Sequence, residues 1–225
     1  MSARMAVIIP ALNAERTLRQ VIIDARAQLE PVIVIDDGSS DATADVARAA
    51  GASVIRHDVN RGKGGALKTG FRWAMENDFD AVITIDADGQ HLASEIPKFV
   101  RVRESGGADL IIGGRAHLFG EMLPRRRMAN RFSAKCIAWS AGVPITDSQS
   151  GFRLYSANLI RSTELRTNGF DMESEVIVRA GRRGLRIVTI PIDLGFVDGI
   201  ATSHYKPLKD TLRIASTVFR TRFFG

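Results

Sequence analysis

The chain has 225 residues, of which 45% are hydrophobic and 25% are charged, the balance of an ordinary globular protein. This composition excludes a disordered chain, a collagen-like repeat and a coiled coil. The single cysteine, Cys136, excludes an intrachain disulfide framework and a thiol-rich metal site. We expect a cytoplasmic protein, because the N-terminus lacks the features of a signal peptide and no apolar run reaches the roughly 18 residues that span a bilayer.

The net charge of +6 is unevenly distributed along the chain. Residues 1–114 contain 13 basic and 16 acidic residues, whereas residues 115–225 contain 18 basic and 9 acidic residues. A basic half can face nucleic acid, an anionic membrane surface or phosphate groups. It can equally be a solvated surface with a few ion pairs, and charge alone does not decide between these interpretations.

Short β-branched runs alternate with helical patterns through the first half of the chain. The patterns predict strands at 7–9, 32–35, 53–55, 81–85 and 110–112, and helices at 17–29, 63–75 and 95–103, with another that begins near Asp41. Strands that are apolar on both faces and separated by helices indicate a parallel sheet that is covered on both sides. The predicted fold class is therefore α/β, with a mainly parallel, Rossmann-like sheet flanked by helices.

The second half of the chain is less regular. Helices are predicted at 128–141, 173–182 and 208–223, a strand at 185–190, and loops at 147–153 and 195–206. No linker, internal repeat or low-complexity tract divides the chain. We therefore predict one domain over residues 1–206, in which residues 115–206 complete a site begun by residues 1–114, followed by a C-terminal helix over residues 207–225.

Two carboxylates follow the predicted strand at 81–85. Asp86 and Asp88 lie one residue apart at the end of a buried strand, where paired negative charges are costly without a cation. Hard oxygen ligands of this kind suit Mg²⁺ or Mn²⁺, often shared with a phosphate-bearing substrate. Gln90 adds a neutral oxygen, and His91 adds a nitrogen that can bind metal. The alternative is a turn whose acidic residues cap the following helix.

Acidic residues also end the predicted strand at 32–35. Asp41 is expected to cap the next helix, which leaves Asp36 and Asp37 to accept a base N–H or sugar hydroxyls. Residues 60–65 form a glycine-rich loop in which backbone N–H groups and Lys63 could meet phosphate. The loop fits neither the P-loop nor the dinucleotide-binding pattern, and a tight turn into a helix explains it equally well.

Taken in order, these motifs resemble glycosyltransferase family 2, and within it the branch that transfers sugars to dolichyl or polyprenyl phosphate. The resemblance is carried by residues 10–15 (PALNAE), 36–39 (DDGS), 60–64 (NRGKG), 86–91 (DADGQH), 113–115 (GGR), 147–153 (DSQSGFR) and 170–175 (FDMESE). It implies a GT-A fold and an inverting, metal-dependent hexosyltransferase. The donor would be a UDP- or GDP-sugar, and the acceptor a polyprenyl phosphate or another membrane lipid.

The resemblance also implies roles for individual residues. The nucleotide-sugar would be bound by Pro10, Leu12, Glu15, Asp36, Asp37, Lys63 and Asp86, with Leu12 standing where the family often has tyrosine. The ligands of Mg²⁺ or Mn²⁺ would be Asp86, Asp88 and Gln90. The sugar-phosphate side would be organised by Arg115 and Arg153. The developing charge on the leaving nucleoside diphosphate needs such a cation and such donors.

The acceptor decides whether the reaction needs a base. A lipid phosphate is already anionic, so basic and hydroxyl side chains would position it; the candidates are Arg127, Arg131, Ser133, Lys135 and Lys206. A hydroxyl acceptor needs a general base, for which the candidates are Asp147, Asp171 and Glu173. Asp147 is the first choice, because its loop matches the acceptor side of the family. Otherwise Glu173 and Glu175 would belong to a solvated first helical turn.

Residues 208–223 predict a basic amphipathic helix. One face carries Leu208, Leu212, Ala215, Phe219 and Phe223, and another carries Lys209, Arg213, Ser216 and Arg220. Such a helix can lie on an anionic membrane, which would make the protein peripheral at the cytoplasmic face, alone or with a membrane-protein partner. The alternative is a helix that packs its apolar stripe on the domain.

Three other functions are weighed against the transferase. Residues 82–89 resemble the nucleophile strand of haloacid-dehalogenase-type phosphatases, but Gln90 departs from that pattern and the other motifs would go unexplained. A non-catalytic nucleotide-sugar-binding protein is the second alternative. Nucleic-acid binding is disfavoured, because the basic residues follow no recognised motif and share the chain with an acidic crevice.

Overall fold

Seven strands form one mixed sheet in a computed structural model that describes residues 3–117, 124–195 and 207–224. The strands are β1 (Met5–Ala11), β2 (Val32–Asp36), β3 (Ser53–Arg56), β4 (Ala81–Thr84), β5 (Leu110–Gly114), β6 (Arg153–Ser156) and β7 (Ile187–Pro191). The helices are α1 (Leu18–Arg26), α2 (Thr43–Ala49), α3 (Lys63–Glu76), α4 (Ile96–Gly106), α5 (Pro124–Ala141), α6 (Ala157–Ser162), α7 (Met172–Arg182) and α8 (Pro207–Phe224), with a 3-10 turn at Ala93–Glu95.

The strand order is β3-β2-β1-β4-β6-β5-β7. All paired strands are parallel except β6, which runs antiparallel to both β4 and β5. The predicted α/β class, a mainly parallel sheet flanked by helices, is confirmed. Strand β6 and helix α6 were not predicted. The sequence of β6, Arg-Leu-Tyr-Ser, places polar residues at both ends of four positions that are all buried.

Each face of the sheet is covered by helices, because the central strands are apolar on both sides. On one face Val7 and Val34 pack in a cluster with Ile22 of α1. On the other face Ile8 and Ile33 belong to a cluster that includes residues of α3, α5, α7 and α8. This two-sided burial is what continuous Val and Ile runs indicate for parallel strands.

The strand order reverses between β1 and β4, and this reversal creates the site. The chain passes from β1 to β2 and β3 on one side, and then returns to β4 on the other side of β1. In open α/β sheets, ligands bind at such a switch point, outside the carboxyl ends of the strands. Pro10 lies beyond the last β1–β4 pair, Ile8 with Thr84, so its missing N–H interrupts no ladder bond to β4.

Helix α8 packs on the domain, but the described part of the stripe that the sequence indicates does not face the domain. Among the side chains of α8 that the structure describes, the buried ones are Ile214, Thr217, Val218 and Thr221, and the Thr217 hydroxyl donates to Asp171 Oδ2 over 2.8 Å. Ala215, Phe219 and Phe223 of the predicted stripe are exposed instead. The side chains of Leu208 and Leu212 lie outside the described residues. Among the described helices, none is long and apolar enough to cross a membrane.

Candidate active site

A cleft of about 570 Å³ lies at the carboxyl edge of β1, β2 and β4. The loop after β1 forms one wall, and the segment after β4 with the first residues of α3 forms another. Of the residues predicted to bind a nucleotide-sugar, the cleft is lined by Pro10, Leu12, Glu15, Asp37, Lys63 and Asp86. Asp88 of the predicted metal ligands also lines it, as does Phe170, which lies just before α7.

The loop after β1 is held in place by the loop after β2. Asn13 has a positive φ of 49°, and its side-chain Oδ1 accepts from the Ser40 N–H over 2.9 Å. Glu15 accepts from the Ala42 N–H over 3.0 Å. Asp41 accepts from the Thr43 N–H over 3.0 Å, but the N-cap of α2 is Ala42, so Asp41 braces the turn before the helix and its predicted role as the cap is wrong. These bonds preorganise the wall of the cleft that Pro10, Leu12 and Glu15 line.

Asp36 and Asp37 are both buried but have different surroundings. Asp36 is fully buried, accepts from the Ser39 N–H over 2.9 Å and lies 3.3 Å from Arg56 Nε, so it supports the loop from below and does not line the cleft. Asp37 lines the cleft and binds the backbone of the neighbouring loop. Its Oδ1 accepts from the Arg61 N–H, and its Oδ2 from the Gly62 N–H over 2.8 Å.

The glycine-rich loop is a tight turn into α3. Gly62 has φ of 83°, and a Cβ there would lie 2.5 Å from the carbonyl oxygen of Asn168. A Cβ at Gly64 would lie 2.7 Å from Met172 Cβ. The Gly65 N–H donates to the Asn168 oxygen over 3.0 Å. The glycines therefore allow α3 to approach the segment before α7, and the N–H groups of Gly62 and Gly65 bond within the protein.

Lys63 joins the two halves of the chain inside the cleft. Its Nζ lies 2.7 Å from Oδ1 of Asp86 and 3.3 Å from Oε1 of Glu173, and it faces the Phe170 ring at 5.6 Å. Burial alone would lower the pKa of Lys63, but the charges of Asp86 and Glu173 outweigh it and raise that pKa. For Asp86 the directions are opposite: burial alone would raise its pKa, but the charge of Lys63 opposes burial, and the pKa is lowered overall. Both groups are therefore charged.

The surroundings of Asp88 disfavour its ionised form. Burial, and then the charge of Asp86, raise its pKa, while a hydrogen bond of 3.0 Å from the Gln90 N–H opposes the shift. A divalent cation between these carboxylates would offset that cost, so Asp86 and Asp88 fit Mg²⁺ or Mn²⁺. The Gln90 side chain is exposed and does not line the cleft, unlike its predicted role as a ligand. Among the described residues, no cluster of three or more metal-binding His, Cys, Asp or Glu side chains occurs.

Arg115 and Asp147 form a buried ion pair. Nε and Nη2 of Arg115 donate to the two oxygens of Asp147 over 2.8 and 3.2 Å, and the Arg115 and Gln149 N–H groups donate to the same carboxylate. Burial would raise the pKa of Asp147, but the hydrogen bonds and charge of Arg115 lower it. A carboxylate with a lowered pKa and four donors is a poor general base, so this geometry argues against the predicted base role.

Arg153 is fully buried on β6 and does not line the cleft. Its guanidinium donates to the carbonyl oxygens of Ser148, Ser150 and Glu173 over 2.7–2.8 Å. It therefore fixes the 147–153 loop against the start of α7. Arg153 was predicted to contact the sugar-phosphate directly. Its guanidinium is instead occupied by three carbonyl oxygens of the protein.

The structure describes the side chains of two of the five predicted acceptor-binding residues. Ser133 is half-buried and Lys135 is exposed on α5. The side chains of Arg127 and Arg131, and the whole of Lys206, lie outside the described residues.

The burial and the contacts of several polar residues of the site are not evident from the sequence. Glu173 is buried, with its Oε1 3.3 Å from Lys63, and Glu175 is also buried, so the solvated-turn interpretation is wrong. His57 bridges Asp37, at 2.7 Å, and Thr69, at 2.9 Å. No local pattern distinguishes these polar residues from surface ones, because their partners come from distant parts of the chain.

Comparison with known proteins decides the family. Residues 6–163 match the model of glycosyl transferase family 2. The chain belongs to this family. It is a glycosyltransferase that uses nucleotide-sugar donors, and the phosphatase and non-catalytic alternatives are therefore set aside.

Relatives and solved structures agree with this assignment. The undecaprenyl-phosphate mannosyltransferase of Micrococcus luteus is 31% identical over 208 residues, which cover 84% of this chain and 82% of that protein. The UDP-N-acetylglucosamine–dolichyl-phosphate N-acetylglucosaminyltransferase of Methanococcus voltae is 28% identical, covering 82% and 83%. The glucosyl-3-phosphoglycerate synthase of Mycobacterium tuberculosis, solved with Mn²⁺ and UDP, superposes with a TM-score of 0.70 at 23% identity over 98% of this chain and 80% of that chain. The predicted GT-A fold is thereby confirmed.

Proposed function

We propose that the protein transfers a hexose from a UDP- or GDP-sugar to a polyprenyl phosphate, with inversion at the anomeric carbon. The observation that carries the proposal is the Lys63–Asp86 pair, 2.7 Å apart, in a cleft at the strand-order reversal. The similarity of this chain to lipid-phosphate sugar transferases supports the acceptor class. We further propose that residues 1–114 bind the donor and residues 115–206 the acceptor.

The donor would lie with its nucleoside against the loop after β1. Pro10 and Leu12 supply apolar contacts there, and Glu15 and Asp37 supply carboxylates suited to base N–H groups and ribose hydroxyls. Asp36 supports this wall without touching the ligand. The diphosphate would reach towards Asp86 and Lys63, where a positive side chain can meet phosphate oxygens.

Asp86 and Asp88 would hold Mg²⁺ or Mn²⁺, which when bound supplies positive charge for the diphosphate. Gln90 is not part of this proposed ligand set, because its side chain is exposed. Lys63 adds a second positive charge next to Asp86. Arg115, whose raised pKa keeps it charged, is held by Asp147 within electrostatic reach of Asp86 and Glu173.

Transfer would be a single displacement. An oxygen of the acceptor phosphate forms a bond to the anomeric carbon, the bond from that carbon to the donor's diphosphate oxygen breaks, and the electron pair leaves with the nucleoside diphosphate. The nucleophile is already anionic, so no side chain has to remove a proton. This agrees with the surroundings of Asp147, whose oxygens are occupied by Arg115 and Gln149. We therefore propose that Asp147 and Arg153 are positioning residues.

Calorimetric titration with UDP, GDP, UDP-glucose and GDP-mannose, each with and without Mn²⁺, tests the donor class. We expect binding of one base series that strengthens with Mn²⁺. A second assay follows the labelled sugar into undecaprenyl phosphate in detergent. Donor binding without transfer to any polyprenyl phosphate would disprove the acceptor, and the absence of metal-dependent binding would disprove the donor site.

A further inference from the structure

Three aromatic side chains from two helices form one exposed cluster. Trp139 of α5 is 63% exposed, and Phe219 and Phe223 of α8 are 57% and 54% exposed. The ring centroids of Phe219 and Phe223 are 4.8 Å apart, and those of Phe223 and Trp139 are 6.4 Å apart. We call these three residues the aromatic patch. Contiguous exposed apolar patches of this kind mark interaction sites.

The aromatic patch is not an unburied part of the core. Helix α8 already packs on the domain through the opposite face, where Ile214 and Val218 are buried and Thr217 bonds to Asp171. The guanidinium of Arg222 lies 5.2 Å from the centroid of the Trp139 ring, which links the two helices at the surface. The rings are therefore held outward by a helix that has its own separate packing face.

Basic residues surround the aromatic patch. Helical spacing puts Arg222 on one flank of the Phe219–Phe223 stripe, and Arg213 and Arg220 on the other. By sequence, α5 and α8 together contain nine basic residues and one acidic residue, Asp210, although the whole chain is only +6. By sequence, the two helices that carry the patch therefore have a net charge of +8, nine positive charges less one negative.

We propose that the aromatic patch docks the protein on an anionic phospholipid surface. Interfacial helices bind by placing Trp and Phe at the boundary between headgroups and acyl chains while Lys and Arg meet anionic lipids. A protein partner would need an apolar centre surrounded by acidic side chains, whereas an anionic lipid surface provides apolar acyl chains and negative headgroups at every point. The inference rests on the proposed function for its purpose, because a polyprenyl phosphate is available only at a membrane.

The placement of α8 connects this surface to the cleft. Thr217, on the buried face of α8, bonds to Asp171. Asp171 directly follows Phe170, which lines the cleft. Docking through the aromatic patch would therefore hold the membrane on the half of the chain proposed to bind the acceptor.

Vesicle sedimentation tests the proposal with the full chain. The probes are phosphatidylcholine vesicles with and without phosphatidylglycerol, free of any polyprenyl phosphate, at low and high salt. We expect binding to the anionic vesicles that weakens with salt. Phe219→Ala and Phe223→Ala should each lower the partition coefficient by roughly tenfold, from the apolar area that each withdraws from the bilayer. Arg220→Glu should lower it by a similar factor.

Matched variants elsewhere on the surface serve as controls. Ile23→Ala and Arg19→Glu change exposed residues of α1 and should leave vesicle binding unchanged. Circular dichroism and donor titration confirm that each patch variant is folded. Equal binding by patch variants and controls, or no binding to anionic vesicles, would overturn the inference. If the protein transfers sugar to a detergent-solubilised acceptor but does not bind vesicles, the docking inference is overturned and the proposed function stands. If it binds vesicles but transfers no sugar, the proposed function is overturned and the docking inference stands.

Discussion

Lys63 Nζ and Asp86 Oδ1 lie 2.7 Å apart and connect the start of α3 to the segment that follows β4. Both belong to the first half of the chain, and Glu173 of α7 adds a carboxylate from the second half, 3.3 Å from the same ammonium group. This triad places one cation between two anions in a largely buried cleft. Removing the cation would take from Glu173 its ion-pair partner and would leave Asp86 with His91, whose Nε2 lies 3.6 Å from Oδ2, so a largely buried charge would lose most of its compensation.

We expect Lys63→Met to lower the free energy of unfolding by about 3 kcal/mol, the scale for breaking a buried pair. It should also weaken nucleotide-sugar binding. Lys68→Met, on the same helix and with only a 3.5 Å contact to the Leu165 oxygen, should change neither property. Chemical unfolding and calorimetry measure the two effects. Adding Glu173→Gln to Lys63→Met should recover part of the lost stability, and strict additivity of the two changes would contradict the triad.

Asp88→Asn is expected to separate binding from stability. Its pKa is raised by burial and by the charge of Asp86, so the folded state disfavours the ionised form at neutral pH. Without metal, the variant should therefore be at least as stable as the parent. Its affinity for the nucleotide in Mn²⁺ should fall by roughly tenfold or more, because a hard oxygen ligand is lost.

Thermal unfolding without metal and calorimetry with Mn²⁺ measure these two properties of Asp88→Asn. Asp24→Asn, an exposed change on α1, is the matched control. Unchanged nucleotide binding in Mn²⁺ would remove Asp88 from the metal site.

Gly151→Ala should separate Lys63 from Asp86, because the new methyl group clashes with both side chains. An added Cβ at Gly151 would lie 2.4 and 2.6 Å from the oxygens of Asp86 and 2.7 Å from Lys63 Nζ. These groups would have to separate, so donor binding should weaken by roughly tenfold, a loss of about 1.4 kcal/mol. Gly106→Ala in α4, where a Cβ meets only the end of the Arg186 side chain, is the control and should keep full affinity. Titration of both variants with the preferred donor decides the matter.

The Arg115–Asp147 pair predicts how stability depends on acid. The pKa of Asp147 is lowered from 3.8, so the folded state binds this proton more weakly than the unfolded chain does. The contribution of ionised Asp147 to the free energy of unfolding is complete at pH values above the unfolded-state pKa of 3.8, and it is lost as the pH falls through the lower pKa of the folded state. Asp147→Asn should therefore flatten the acid side of the stability profile while lowering stability at neutral pH.

Urea unfolding across this pH range tests the Asp147 prediction. Asp45→Asn, at an exposed pair on α2, should leave the profile unchanged. If the free energy of unfolding of Asp147→Asn falls with acid as steeply as that of the parent, the Arg115–Asp147 pair is not the cause of the acid dependence.

The sequence by itself determined the fold class and the position of the cleft. Val and Ile runs are β-formers wherever they occur, and helical spacing between them requires crossovers, so the parallel part of the sheet could be predicted. The carboxyl ends of parallel strands share an edge, so Asp37, Asp86 and Asp88 could be placed at one cleft before any coordinates were known. The ordered motifs also identified the family, which the family model confirmed.

Only the tertiary structure decided what each polar residue contacts. Arg153 is buried against three carbonyls, Asp147 is occupied by Arg115, and Gln90 is exposed and does not line the cleft, although all three were predicted to act directly. The same holds for α8, whose amphipathic pattern left two faces able to pack, and the domain buries Ile214 and Val218 and leaves Phe219 exposed. Burial depends on partners that are distant in the chain, and local periodicity carries no information about them.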